Sequence, residues 1–168
     1  FASAEDFMAR QPLGAPGCLV LDLAMPGIDG LSLQRHLAEQ GQPWPIVFLT
    51  GNGDIPLSVK AMKAGAVDFL TKPVPAHALV AAVTAALERD AEARRVQHVQ
   101  SELSRRHSSL TRREREVLDC LVQGKLNKQI AAELGIVEPT VKFHRARIME
   151  RMGARTLAEL MHMAARLA

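Results

Sequence analysis

Cys18-Leu19-Val20-Leu21-Asp22-Leu23-Ala24-Met25-Pro26-Gly27 decides the fold. A short apolar run ends on a lone carboxylate, and a Pro-Gly turn follows. In an open parallel sheet, ligands and chemistry collect just outside the carboxyl ends of the strands. Asp22 stands at such an end. Two later runs close in the same way: Pro45-Ile46-Val47-Phe48-Leu49 on Thr50, and Ala66-Val67-Asp68-Phe69-Leu70-Thr71 on Lys72-Pro73. A carboxylate, a hydroxyl and an ammonium then converge on one rim, which suits an anion. The intervals from Asp22 to Thr50 and from Thr50 to Lys72 are 28 and 22 residues. Both leave room for the crossover helix that joins parallel strands.

The composition frames this reading. A chain of 168 residues, 48% hydrophobic, can build one or two packed domains. No apolar run reaches the about 18 residues of a membrane span. The polar, acidic opening Phe1-Ala2-Ser3-Ala4-Glu5-Asp6 does not read as a signal peptide. Cys18 and Cys120 lack metal-type spacing and read as buried thiols in a reducing compartment, so the cytoplasm is expected. The net charge of +3 conceals an asymmetry: residues 1–103 carry −3 and residues 104–168 carry +6. Either the charge serves solubility, or the C-terminal part alone meets a polyanion.

In chain order, Ser3 caps a short helix from Ala4 to about Arg10, with Glu5 and Asp6 in its first turn. Loop follows over 11–17. After the Asp22 turn, Leu31, Leu33, Leu37 and Ala38 mark a helical face ended by Gly41. Gln42-Pro43-Trp44-Pro45 leads into the second strand. Gly51-Asn52-Gly53-Asp54 reads as loop; as a nucleotide-binding loop it lacks the spaced glycines and the helix lysine. A helix with Pro56 in its first turn carries Val59, Met62 and Lys63 and stops at Gly65. From Pro75 a helix carries Leu79, Val80, Val83, Ala86 and Leu87. No Gly or Pro occurs from Ala76 to Gln123, and Val96, Val99 and Leu103 continue a sparse stripe. A long helix therefore extends to about Arg106 as a linker, its stripe either solvated or packed on a second copy.

Thr111-Arg112-Arg113-Glu114 has the form of a capping box. It opens a helix with the face Val117, Leu118, Leu121 and Val122, ended by Gly124. A second helix, 127–134, ends at Gly135. Ile136-Val137-Glu138 turns the chain into a third helix, 140–152, with Pro139 at its start. A fourth begins at Thr156. Short helices around a tight Gly-containing turn match helix-turn-helix. Val141, Ile148 and Met152 suit the buried side of the third helix, and Lys142, Arg145 and Arg147 read as lying away from it. Such bases reach phosphates and base edges from the major groove. The turn, the scaffold helix before it and the +6 balance favour DNA over a merely solvated face.

These residues carry a family resemblance. The span Leu121 to Met152, with Asn127-Lys128-Gln129-Ile130-Ala131 and Thr140-Val141-Lys142-Phe143-His144-Arg145, resembles a LuxR-type DNA-binding domain. Three N-terminal stretches resemble a FixJ-like receiver domain: Leu21 to Gly27, Phe48 to Pro56, and Lys60 to Pro73. Together they are similar to a two-component response regulator. The implied architecture is a flavodoxin-like receiver remnant with a parallel sheet, joined by a long helix to an all-α LuxR-type helix-turn-helix domain. The implied boundaries are a partial receiver at 1–87, a helical linker at 88–107 and a DNA-binding domain at 108–168.

The resemblance also implies roles. Asp22 is the phosphoacceptor, served by a cognate histidine kinase. Thr50 bonds a phosphoryl oxygen, Lys72 pairs with its charge, and Phe69 is the aromatic switch unless it is plain core. Lys72-Pro73 is expected to be cis. Asp22 and the carbonyl of Ala24 are Mg²⁺ ligands, the remaining ligands being an acidic pair that this chain does not show. The first strand, the first helix and most or all of the second strand of the receiver pattern are likewise not found here. The chain is therefore expected to be a fragment of a longer regulator, to leave Cys18–Leu21 as a hydrophobic sheet edge, and to take up phosphoryl groups poorly. Lys142, His144 and Arg145 are the expected DNA contacts, with Thr140, Asn127 and Lys128 on phosphates. Val137 stands where the family often has a Ser cap, and Ala146 where some relatives have a base. The fourth helix, with Leu157, Leu160 and Met161, is either a dimer surface or a cover for the core.

The expected function is a DNA-binding transcriptional regulator, not an enzyme, switched by aspartyl phosphorylation, homodimeric when active and away from membranes. Two alternatives remain at this point. One is a phosphorylation-independent DNA-binding module. The other is a phosphotransfer enzyme of the haloacid-dehalogenase type, which usually carries a second acid two residues after its nucleophile, where this chain has Ala24.

Overall fold

The computed structural model describes residues 1–10, 15–41, 44–51 and 55–167. The loops expected at 11–14, 42–43 and 52–54 lie outside the described residues. The elements are α1 (Ala4–Arg10), β1 (Leu19–Asp22), α2 (Gly30–Glu39), β2 (Ile46–Thr50), α3 (Ile55–Lys63), β3 (Asp68–Thr71), α4 (Ala76–Ser108), α5 (Arg112–Val122), α6 (Asn127–Leu134), α7 (Glu138–Met152) and α8 (Leu157–Ala165). The chain divides into two compact units, Phe1–Arg95 and Val96–Ala168.

In the first unit the described strands form one parallel sheet in the order β1-β2-β3. Leu21 faces Phe48 across the first pair, and Phe48 faces Phe69 across the second. Side chains alternate between the two faces of a strand, and the core divides accordingly. Leu21, Ile46 and Phe48 pack with Phe7, Leu33, Leu37 and Ala61 from the first three helices. Val47 packs with Ala82 and Ala86 of α4 on the other face. The sheet is thus covered on both sides, as parallel sheets require. Val20 of the outer strand β1 is 43% exposed.

Several apolar positions differ from the sequence reading. Val80 and Leu87 of α4 are exposed, while Ala82 and Ala86 are buried. Leu79 and Val83 of the same helix are half-buried, and Asp90 continues the Ala82–Ala86 face four residues on. Its carboxylate accepts from the Gly17 N–H at 3.0 Å and pairs with Arg94 at 2.6 Å. Arg94 also donates to the Ala15 carbonyl. Val59 and Met62 of α3 are exposed, and Ala61 is its buried contact. The segment 88–107 is not one uniform spacer: Asp90 and Arg94 fasten to the first unit, and Leu103 joins the core of the second.

In the second unit, Leu103, Leu110, Val117, Leu121, Ile130, Val141, Ile148, Met152 and Leu160 share one core. The Thr111–Glu114 capping box is formed. Arg106 donates to the Met152 carbonyl at 2.9 Å, tying the end of α4 to the end of α7. Gly135 and Gly153 end α6 and α7 in the left-handed conformation, at φ 65° and 72°. Val137 caps α7 without a side-chain hydrogen bond, and Pro139 sits in the first turn. Leu160 is fully buried, so on α8 it covers the core, whereas Leu157 is 42% exposed.

Candidate functional site

Asp22 closes β1, Thr50 closes β2, and Lys72 follows the end of β3. The ladder brings these ends together: the Leu23 N–H donates to Leu49, and the Lys72 N–H donates to Thr50 at 2.7 Å. The Lys72 ammonium meets the Asp22 carboxylate at 2.5 Å. The Ala24 N–H donates to the other carboxylate oxygen at 3.1 Å. Both side chains of the pair stay open to solvent, at 45% and 38% exposure. The Lys72 hydrogen bond holds the Asp22 carboxyl below its ordinary range; burial opposes it, and the Ala24 N–H adds to the lowering. The carboxylate is therefore ionised and accessible, with a cation already beside it. Thr50 is buried. Phe69 is half-buried, its ring 6.3 Å from that of Phe48. Lys72–Pro73 is cis.

Gly30 escaped the sequence reading. It opens α2 directly against β1, and a Cβ there would lie 2.9 Å from both the Asp22 carbonyl and the Phe48 ring. Its signal was Asp29, the N-cap, whose carboxylate accepts from the Ser32 N–H at 2.7 Å.

Asp22 and Ala24 supply one carboxylate and one carbonyl. Among the described residues no group of three or more His, Cys, Asp or Glu side chains stands together. Mg²⁺ asks for near-ideal octahedral oxygen coordination, and these two donors do not make such a site by themselves.

In the second unit, α7 buries Val141, Ile148 and Met152 completely. Lys142, Ala146 and Arg147 are exposed; Thr140 and His144 are half-buried. Arg145 corrects the sequence reading. It is half-buried, and its guanidinium donates to Asn127 at the start of α6, at 2.5 Å. Four residues from Val141, it lies about 40° round the helix, on the edge of the packed side. Lys128 is exposed. Glu114, 4% exposed, does more than close the capping box: it also faces Arg151 of α7 at 3.5 Å.

Both units match described families. Residues 1–84 match the response regulator receiver domain, and residues 108–164 match the bacterial regulatory proteins of the luxR family. The transcriptional regulatory protein FixJ of Azorhizobium caulinodans is 49% identical over 148 residues, 88% of this chain and 70% of its own length. This chain belongs to the response regulators with a receiver and a LuxR-family DNA-binding domain. Response regulator protein TodT of Pseudomonas putida F1 is 46% identical over 167 residues, 99% of this chain and 74% of TodT. The solved structure of response regulator StyR is 46% identical with a TM-score of 0.89, covering 99% of this chain and 84% of that one. As a response regulator of this family, the protein is a two-component transcription regulator and not an enzyme. The haloacid-dehalogenase reading and the simple DNA-binding module are not favoured. DNA and a histidine kinase are the partners that membership implies. Receiver domains generally bind Mg²⁺. Among the described residues no helix is long and apolar enough to cross a membrane.

Proposed function

We propose that Asp22 is the phosphoacceptor of this regulator. The observation that carries the reading is the exposed, ionised Asp22 carboxylate held against Lys72 on the carboxyl rim of a parallel sheet. A carboxylate oxygen attacks the phosphorus of a phosphohistidine and forms an acyl phosphate, while the imidazole leaves. Lys72 stays beside the new dianion and offsets its charge. Thr50, one strand away, turns its hydroxyl to a phosphoryl oxygen, and Phe69 moves into the space this opens. The two-state surface around Thr50 and Phe69 then biases a homodimer that binds a two-fold DNA site in the cytoplasm. Asp22 and the Ala24 carbonyl contribute to a Mg²⁺ site that needs further oxygen ligands. Lys142 and His144 contact DNA from α7, Lys142 at a phosphate, with Thr140, Asn127, Lys128 and Arg145 at phosphates as well.

The test is incubation with a small-molecule phosphodonor and Mg²⁺, followed by mass analysis, for the chain and for Asp22→Asn. The expected product is a base-labile acyl phosphate on Asp22, at low yield because the Mg²⁺ ligand set is thin, and none in Asp22→Asn. Label on another residue, or none at saturating donor, would overturn the assignment; stoichiometric label would overturn only the low yield.

A further inference from the structure

The recognition helix carries an apolar strip on the side that faces away from its own core. Val141, Ile148 and Met152 are fully buried and fix the inward direction of α7. Phe143 lies two residues from Val141, about 200° round the helix and so nearly opposite the core. It is 61% exposed, one of the most exposed large apolar side chains in the second unit. Ala146, one turn on, is also exposed, and residues three apart are neighbours on a helix surface. Lys142 and Arg147 flank the pair and are exposed too. The Phe143 ring stands edge-on to His144, with centroids 5.7 Å apart, which limits its freedom before any partner arrives.

An exposed phenylalanine between two cations leaves most of its apolar surface in water within this unit. The first turns of a recognition helix are the ones that meet base edges. In the major groove the C5 methyl of thymine is the one apolar group that a base edge presents, and Phe and Ala are side chains that match it. We propose that Phe143, with Ala146 beside it, reads a thymine methyl group and is a specificity-determining residue of this regulator. The proposal rests on DNA binding through α7. Arg145, with its guanidinium on Asn127 at the start of α6, stays at the phosphates while Phe143 discriminates.

The experiment uses the whole chain. Duplexes enriched from a randomised pool by the wild-type protein supply a binding sequence, and each thymine is then replaced singly by deoxyuridine, which removes only the methyl. At one or two positions the wild type should bind the deoxyuridine duplex about fourfold more weakly, as expected for one buried methyl group. Phe143→Ala should bind both duplexes equally, and Phe143→Leu should keep part of the preference. Lys142→Ala should weaken both duplexes alike and leave the ratio intact. A Phe143→Ala protein that binds DNA with the wild-type ratio overturns the proposal. So does a wild type that binds DNA with no thymine position sensitive to the methyl. A chain that retains no duplex even at low salt sinks DNA binding through α7 itself, which separates the two failures.

Discussion

Single residues show two carboxylates with different work to do. Asp22 is open to solvent and kept ionised by Lys72, so its charge is available for chemistry. Glu114 is buried, and its carboxylate accepts from the Thr111 N–H at 2.8 Å beside Arg151. Burial pushes the Glu114 carboxyl up, but the Thr111 hydrogen bonds, Arg151 and His144 outweigh it and leave the group below its usual 4.5. A carboxyl whose folded value is depressed adds stability above its unfolded value, and that stability is lost as pH falls through the folded one. Glu114→Gln should therefore lower the stability of the second unit by about 2 kcal/mol at neutral pH, a hydrogen bond to a charged group being at stake. The gap to wild type should close as pH drops below 4.5, followed by thermal or urea unfolding; a gap constant down to the acid transition would contradict it. The sequence revealed the capping box because its four residues are contiguous. It did not reveal Arg151, thirty-seven positions from Glu114, because only folding brings α7 there.

At the scale of elements, periodicity placed nearly every helix and strand, and glycines marked the ends. It failed where packing is unusually close. Ala82 and Ala86 form the face of α4 that packs on Val47, and Asp90, four residues on, accepts from the Gly17 N–H; the apolar pattern includes Ala86 but omits Ala82 and Asp90 and takes in the exposed Val80 and Leu87. Burial of methyl groups against a sheet leaves no signature in a hydropathy pattern. The start of α2 is a second close approach. Gly30→Ala should cost about 1–3 kcal/mol by overpacking Phe48 and the Asp22 backbone. It should appear as a lower unfolding midpoint of the first unit. Gly51→Ala, where a Cβ meets nothing within 4 Å, should stay within about 0.5 kcal/mol of wild type. Equal effects at the two positions would remove the steric argument.

For the whole molecule, charge separates input from output: −3 over residues 1–103 and +6 over residues 104–168. Binding to DNA should therefore weaken steeply with salt, because each phosphate contact releases counterions. Lys142→Ala should flatten the slope of log affinity against log salt by about one unit; an unchanged slope and affinity across several salt concentrations would exclude Lys142 from the phosphates. By itself the sequence determined the parallel sheet, the strand ends that carry Asp22, Thr50 and Lys72, the helix-turn-helix and the family, because these are written in short contiguous patterns. Only the tertiary structure decided which side chains those patterns leave available. It turned Arg145 toward Asn127, buried Leu160 and left Phe143 in solvent, because the direction of a side chain depends on which face of its helix the rest of the fold covers.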